Sequence, residues 1–358
     1  MSGDRTSRLP GFYRLPLVER RALVADLAKL AHEDLDLLAT GGLDLPTADR
    51  MSENVIGLHA LPFGVGLNFR INDRDYLVPM VIEEPSVVAA ASNAARLVRT
   101  SGGFATMVDP PIMTGQVHLC GVRDPDGAAD RLRAHRSEIL AAIARVLPQL
   151  CERGGGPRDL SVRVLSGPED PDGGIVVVHL DIDCRDAMGA NVVNTAAEAV
   201  ADQLARFAGP DARAALRIIT NLSDRRRVRV KARVALSALG PDGAAVRDAI
   251  TTASRLAELD HFRAATHNKG IMNGVDAVLV ATGNDWRSVE AGAHAFAARD
   301  GRYRPLAVWH RDGDDLVGEL DMPMAVGTVG GARRSHAGAR LALRLLRVGS
   351  SDELASVV

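Results

Sequence analysis

The segment 263–274 carries a single lysine among small and polar side chains. It reads RAATHNKGIMNG, with Lys269 directly before Gly270 and close to Gly274. Glycine lets a ligand approach the backbone closely, and an ammonium group stabilises negative charge that develops on a carbonyl oxygen. The segment therefore predicts a loop that presents Lys269 as a cationic catalyst. The alternative is a solvent-exposed surface lysine, which composition alone favours.

Two acidic residues are candidates for catalytic roles. Glu84 precedes Pro85 at the predicted start of an alanine-rich helix, and a buried carboxyl group there could act as a general acid. Asp285 lies in the segment GNDW (283–286), also directly before a predicted helix. Simpler explanations exist for both, because acids at a helix start interact favourably with the helix dipole and Asp is a common N-cap.

Five segments, taken in order, resemble motifs of hydroxymethylglutaryl-CoA (HMG-CoA) reductases. They are ENVIG (53–57), EEPS (83–86), DAMGAN (186–191), the lysine segment and GNDW. Their wording is most similar to that of the soluble bacterial (class II) enzymes. The resemblance implies an oxidoreductase that interconverts HMG-CoA and mevalonate plus CoA. It implies two successive hydride transfers with NADPH or NADH and no metal.

The resemblance also implies roles for single residues. Lys269 would stabilise the oxyanion, Glu84 would supply protons, and Asp285 would link these two in one hydrogen-bond network. Three residues would bind the substrate: Ser86, Arg263 and Asn273. Six residues would bind the nicotinamide cofactor: Asp186, Met188, Gly189, Ala190, Asn191 and Asn221. The DAMGAN segment is a weak motif by itself, although small residues before a helix start suit a pyrophosphate.

Two departures from the family pattern leave alternatives open. Members of the family usually continue into a mobile C-terminal flap, whose histidine protonates the CoA thiolate. Since neither His267 nor His336 lies in that context, the alternative to full activity is an impaired form that binds HMG-CoA or nucleotide without efficient turnover. In addition, NAD-preferring relatives carry an Asp where this sequence reads RVLP (145–148). The missing acid favours NADP and leaves NAD open.

Hydrophobic periodicity predicts an α+β protein with two domains. A large mixed helix and strand domain would bind the substrate and consist of residues 1–107 and 221–358. Residues 108–220 follow the order strand–helix–strand–strand–helix–strand, which is typical of a ferredoxin-like (split βαβ) domain. We expect this inserted domain to bind the nucleotide. A G-x-G-x-x-G turn after a strand, the usual dinucleotide fingerprint, is absent from the sequence.

Composition and charge argue against several classes of partner. The formal net charge is −2, which gives no electrostatic reason to expect nucleic acid or a membrane surface. No window of 18 consecutive apolar residues predicts a transmembrane helix. The three cysteines form no CxxC pair, which fits a reducing cytoplasm, and none has the surroundings of the nucleophile that a thiolase-type enzyme needs. By resemblance, residues 53–57 lie at a subunit interface, so we expect a homodimer or a higher even oligomer.

Overall fold

The fold divides into two compact units. It is seen in a computed structural model that describes residues 6–165, 174–331 and 335–358. The first unit combines Met1–Val108 with Arg227–Val358, and the second is Asp109–Arg226. Residues 221–226, which the sequence assigned to the large domain, therefore belong to the inserted unit.

The described strands are numbered in chain order. They are β1 (Phe63–Ile71), β2 (Arg74–Val81), β3 (Phe104–Val108), β4 (Ile112–Cys120), β5 (Gly156–Leu165), β6 (Ile175–Asp183), β7 (Arg213–Ile219), β8 (Arg227–Val234), β9 (Ala307–Asp312) and β10 (Asp315–Pro323).

The described α-helices are numbered in the same way, and short 3-10 helices lie at Phe12–Arg14 and Leu236–Leu239. The α-helices are α1 (Leu17–Ala28), α2 (His32–Thr40), α3 (Leu45–Met51), α4 (Val87–Arg99), α5 (Pro125–Ala134), α6 (Arg136–Val146), α7 (Pro148–Glu152), α8 (Ala190–Ala208), α9 (Gly243–Leu259), α10 (His261–Ala281), α11 (Trp286–Ala297), α12 (Ala337–Leu346) and α13 (Ser351–Val357).

The large unit is built on a six-stranded sheet in the order β2-β1-β3-β8-β10-β9. Its first hairpin turns at Asn72 and Asp73, which both have positive φ values of 45° and 63°, as the turn between two strands predicted at 64–82 requires. A bidentate ion pair fixes α4 on this hairpin, with Arg99 Nη1 2.8 Å from Asp75 Oδ1. Burial opposes ionisation of Asp75, but hydrogen bonds from Arg99 and Ser7 outweigh it and hold the pKa of Asp75 below its usual value.

The inserted unit is a four-stranded antiparallel sheet in the order β5-β6-β4-β7. Helix α8 packs closely on this sheet because β4 has a glycine at the contact. A Cβ atom on Gly115 would lie 2.8 Å from Val193 Cγ1 in the first turn of α8. This order of strands and helices is the split βαβ arrangement.

Two helical predictions differ from the structure. The helix predicted near 128–150 is divided into α5, α6 and α7, because His135 leaves helical geometry and Pro148 lacks an amide hydrogen. The loop predicted at 263–274 is wrong, since this segment lies inside α10. A buried stripe decides the helix and outweighs the low helix propensity of glycine. Its members recur at helical spacing: Ala264, Asn268, Met272, Val275 and Leu279.

No membrane-spanning helix is found among the residues that the structure describes. None of those helices combines the length and the apolar character needed to cross a bilayer. The three cysteines, Cys120, Cys151 and Cys184, are free thiols.

Candidate active site

Lys269 and Glu84 form an ion pair in the large unit. Lys269 Nζ donates to Glu84 Oε2 over 2.7 Å, which joins α10 to the segment that follows β2. The two side chains keep 62% and 42% of their accessible surface. The structure therefore brings together two of the three predicted catalytic groups and leaves both open to a ligand. The burial that a general acid at Glu84 needs is not supplied by the described chain.

The residues just before Lys269 fix the orientation of α10. Asn268 is fully buried, and its amide group donates to Arg304 O and accepts from Leu306 N, both at 2.9 Å. His267 Nε2 contacts Ala307 O at 3.0 Å. Since these side chains hold one face of the helix against residues 304–307, Lys269 points away from that contact.

His267 is unsuited to supply a proton here. Burial, with a smaller effect from the charge of Arg263, lowers the pKa of His267 below its usual value, although the hydrogen bond to Ala307 O acts in the opposite direction. The imidazole is neutral near pH 7, and its Nε2 hydrogen is committed to the carbonyl oxygen. His267 thus anchors α10, and its position next to Lys269 in the sequence does not indicate a catalytic role.

The glycines beside Lys269 leave the surface of α10 bare. A Cβ atom on Gly270 or Gly274 would meet nothing within 4 Å, and neither residue has a positive φ value. Neither the backbone conformation nor the packing requires glycine at these positions. The open space next to the ammonium group is what a ligand would occupy.

Two of the predicted substrate-binding residues lie on α10 as well. Asn273 is one turn after Lys269, roughly 6 Å along the helix axis, and Arg263 is six residues before it, roughly 9 Å. Both side chains are partly buried.

Ser86 lies at the start of α4 in a conformation that is unusual for a serine. Its φ value of 71° is left-handed, and its side chain makes no capping hydrogen bond to α4. Such a backbone conformation is costly for a residue with a Cβ atom and is often found at functional sites. The Ser86 side chain is exposed, two residues after Glu84.

Asp285 does not join the Lys269–Glu84 pair in the structure. Its carboxylate caps α11 by accepting from Ser288 N at 3.2 Å, and Arg287 Nε lies 3.7 Å away. The helix-cap explanation therefore describes its present contacts, and the predicted link between the three groups is not formed.

The DAMGAN segment of the inserted unit contains a glycine, Gly189, whose backbone and surroundings leave no space for a side chain. Gly189 has a φ value of 111°, and a Cβ atom there would lie 2.6 Å from Cys184 Sγ and 3.1 Å from Met113 Cγ. It precedes α8, where no side chain caps the helix and no acidic residue lies in the first turn. The amide groups around Ala190 and Asn191 are therefore suited to an anion. Asp186 and Met188 precede the glycine. The backbone carbonyl oxygen of Asn221 accepts a hydrogen bond from Ser223 N at 3.0 Å.

The sequence analysis missed Arg226, whose buried guanidinium group holds the backbone of the DAMGAN segment. Only 2% of its surface is exposed, and its Nη1 donates to Ala187 O at 3.0 Å and to Met188 O at 3.3 Å. The sequence signal was the run Arg225-Arg226-Arg227, which alone is typical of a solvated basic segment.

Cys184 of the same unit does not provide a nucleophile. Burial raises the pKa of the Cys184 thiol to about 12, and only 1% of the residue is exposed. A thiol in this state is not ionised near neutral pH and cannot serve the thiolase-type reaction.

Comparison with known proteins gives the family. The sequence model of the hydroxymethylglutaryl-coenzyme A reductase family matches residues 16–358. The chain is 45% identical over 353 residues to 3-hydroxy-3-methylglutaryl-coenzyme A reductase of Archaeoglobus fulgidus, covering 98% of this chain and 79% of the relative. The chain belongs to the hydroxymethylglutaryl-coenzyme A reductase family. A probable reductase of Borreliella burgdorferi is 32% identical over 313 residues, with coverage of 86% and 70%.

The fold agrees with solved structures of this reductase family. The class II reductase of Streptococcus pneumoniae bound to NADPH in open conformations superposes with a TM-score of 0.92 at 39% identity, covering 97% of this chain and 94% of the other. The predicted family, fold class and NAD(P)-dependent oxidoreductase activity are confirmed. The impaired form that the sequence left open draws no specific support from these comparisons.

We predict that Arg226→Met weakens binding of the nicotinamide cofactor. The change would remove the Arg226 donor from two partly buried carbonyl oxygens, and an unpaired buried polar group costs about 1–3 kcal/mol. The dissociation constant of NADPH, measured by fluorescence titration, should rise roughly 10-fold. Arg217→Met is the matched control, because Arg217 is exposed in the same unit and its side chain donates to Ala214 O at 3.4 Å, away from the DAMGAN segment. Unchanged affinity in a folded Arg226→Met protein would contradict the supporting role.

Proposed function

We propose that Lys269 and Glu84 are the catalytic pair with which this chain interconverts HMG-CoA and mevalonate plus CoA. The observation that carries the proposal is the 2.7 Å contact between Lys269 Nζ and Glu84 Oε2. An exposed ion pair contributes only about 0–1 kcal/mol to stability. Breaking the pair therefore costs little free energy, and each of the two groups can bind a substrate instead.

The chemistry of the substrate matches the groups around this pair. HMG-CoA carries a carboxylate, a tertiary hydroxyl group and a thioester. A guanidinium group is well shaped for a carboxylate, which assigns that end of the substrate to Arg263. Ser86 and Asn273 offer a hydroxyl and an amide group for the remaining polar atoms. The thioester carbonyl would then lie at Lys269.

Lys269 acts on the oxygen of the attacked carbonyl. When bound, the nicotinamide supplies hydride to the carbonyl carbon in each of two reductions. The ammonium group stabilises the negative charge that develops on oxygen more than it stabilises the neutral carbonyl, and this difference accelerates the step. Glu84, in contact with Nζ, passes protons to the site. Two hydrides and two protons convert the thioester to the alcohol and the CoA thiol.

In this proposal, Asp285 takes part in catalysis only after a change in its contacts. Its carboxylate has to leave the N-cap of α11 before it can join Lys269 and Glu84. If it does so, the three groups titrate as one coupled system.

A groove of the large unit suits the CoA part of the substrate. A groove of about 1190 Å³ lies in the large unit and is lined by Val81 and Val88, which flank Glu84 in sequence, and by Ser92 and Arg96 further along α4. Its lining is largely apolar, which suits the pantetheine arm. Arg20 and Arg21 on α1 also line it and carry the positive charge that CoA phosphates need.

The inserted unit fits a nicotinamide dinucleotide. Gly189 supplies the positive φ value that the chain needs directly before α8, and the amide groups at the start of α8 suit the pyrophosphate. Asp186 and Asn221 complete the proposed contacts. All three cysteines are free thiols, which supports a reducing compartment such as the cytoplasm.

We predict that NADPH is preferred to NADH, because no carboxylate stands at the end of α6 to repel a 2′-phosphate. Val146 is 43% exposed there and follows the exposed Arg145. Val146→Asp should lower kcat/KM with NADPH roughly 10-fold and leave the value with NADH nearly unchanged. Val146→Asn is the neutral control. Equal losses with both nucleotides would place the adenosine ribose elsewhere.

A homodimer is part of the proposal. Residues 53–61 form a turn and an irregular segment before β1. Ile56 is fully exposed there, and Leu58 is 49% exposed. Apolar side chains at such positions are typical of a subunit interface.

We predict that Ile56→Asp shifts the protein from dimer to monomer at micromolar concentration, because an unpaired carboxylate would be buried in the interface. Light scattering after size-exclusion chromatography measures the change. Leu216→Asp, at a side chain 61% exposed on β7 of the other unit, should stay dimeric. A monomeric wild-type protein would disprove the dimer itself.

We predict that Lys269→Ala lowers kcat for HMG-CoA reduction about 10²-fold or more, since the lost contact is made mainly in the transition state. HMG-CoA should still bind, which calorimetry tests. Lys231→Ala is the matched control: Lys231 forms a similar exposed pair, 3.1 Å from Glu319, with 60% and 55% exposure. Near-normal rates in Lys269→Ala would rule out the oxyanion role.

A further inference from the structure

Two carboxyl groups meet where α10 and α11 pack together. Asp276 lies on α10, seven residues or about two turns after Lys269. With Asn273 it continues the stripe that begins at Lys269, at positions i, i+4 and i+7. Glu290 lies on α11, five residues after Asp285. The pair therefore lies between the helix that carries the proposed catalytic lysine and the helix that Asp285 caps.

Their contact requires a proton. Asp276 Oδ1 is buried and receives a hydrogen bond from no donor among the described residues, whereas the Asp276 side chain is within hydrogen-bond reach of Glu290. Two carboxylates at this distance repel each other, so one of them has to be protonated for the contact to hold. One shared proton turns the repulsion into a hydrogen bond.

No other charged group relieves the pair. Helix α10 also packs against β2, α4, α9 and α12. From these elements no cation of the described residues lies within ion-pair distance of Asp276, and Glu290 is the one charged group that acts on its ionisation. Burial first, and then the hydrogen bond and charge of Glu290, raise the pKa of Asp276 to about 8.

We propose that Asp276 and Glu290 share a proton and act as a clasp that holds α10 against α11, so that both are positioning residues for the site at Lys269. The proposal rests on the function proposed for Lys269. While the proton is present, it holds α10, the helix that carries Lys269, against α11. When the second carboxyl group ionises, the two helices repel each other at this point.

The clasp has a stability signature with a definite sign. The pKa of Asp276 is raised from 3.8 to about 8 in the fold. Its stabilising contribution is therefore complete below about pH 3.8 and is lost progressively as pH rises to about 8, because the unfolded chain releases this proton first. In Asp276→Asn, the amide group of the new side chain can donate the hydrogen bond to Glu290, so the contact no longer needs a protonated carboxyl group. This change should raise the melting temperature at pH 8 and leave it unchanged at pH 4.

Infrared spectroscopy tests the shared proton directly. The difference spectrum of wild type minus Asp276→Asn at pH 7 should show the carbonyl stretch of a protonated carboxylic acid, and this band should disappear above about pH 8. Glu290→Gln supplies the same comparison if the first variant does not fold. Absence of the band at neutral pH in both comparisons would overturn the clasp.

Kinetics test the positioning role. Asp276→Ala should lower kcat on the order of 10-fold, because the helix that carries Lys269 is displaced. The KM for HMG-CoA should rise as well, since Arg263 and Asn273 lie on the same helix, whereas the KM for the nicotinamide should stay unchanged. Asp276→Asn should retain kcat at pH 7 and lose less activity than wild type between pH 7 and 9. The control is Asp300→Asn, at an exposed carboxylate after α11.

The outcomes separate this proposal from the proposed function. If Lys269→Ala is inactive but the pH profiles of Asp276→Asn and wild type coincide, the clasp does not position the site, while the role of Lys269 stands. If Lys269→Ala is active, the infrared band still decides whether the proton is shared, and the positioning role fails with the site.

Discussion

The buried amide group of Asn268 is the constraint on which the proposed site depends. An amide in the core is costly unless both of its ends are paired, and here the fold satisfies both with Arg304 O and Leu306 N. This requirement fixes the rotation of α10 about its own axis. Lys269 is the next residue, so its direction toward Glu84 follows from the hydrogen bonds of its neighbour.

The large unit places its charged pairs in two environments with different consequences. Asp75 and Arg99 keep 13% and 20% of their side-chain surface, and their bidentate contact holds α4 on the β1–β2 hairpin. Lys269 and Glu84 keep much more, so water and ligands compete for them. The buried pair holds the hairpin and α4 together, and the exposed pair is available for chemistry.

The inserted unit also combines a buried support with an open surface, here at the DAMGAN segment. Gly189 is exchangeable for no other residue because Cys184 and Met113 fill the space around it, and the buried guanidinium of Arg226 holds the two carbonyl groups just before it. The amide groups at the start of α8 remain unfilled by protein side chains. A rigid support beneath an open helix start is what phosphate binding requires.

The sequence by itself determined the family, the α+β architecture and the residues around Lys269 and Glu84, because these are carried by local motifs and by the order of strands and helices. It did not determine that 263–274 is helical, since the glycines argue locally against a helix and only burial of the Ala264–Leu279 stripe outweighs them. Nor did it reveal Arg226 or the Asp276–Glu290 contact. An arginine in a basic run and two acids on different helices acquire their meaning only when the fold removes them from water and sets their partners beside them.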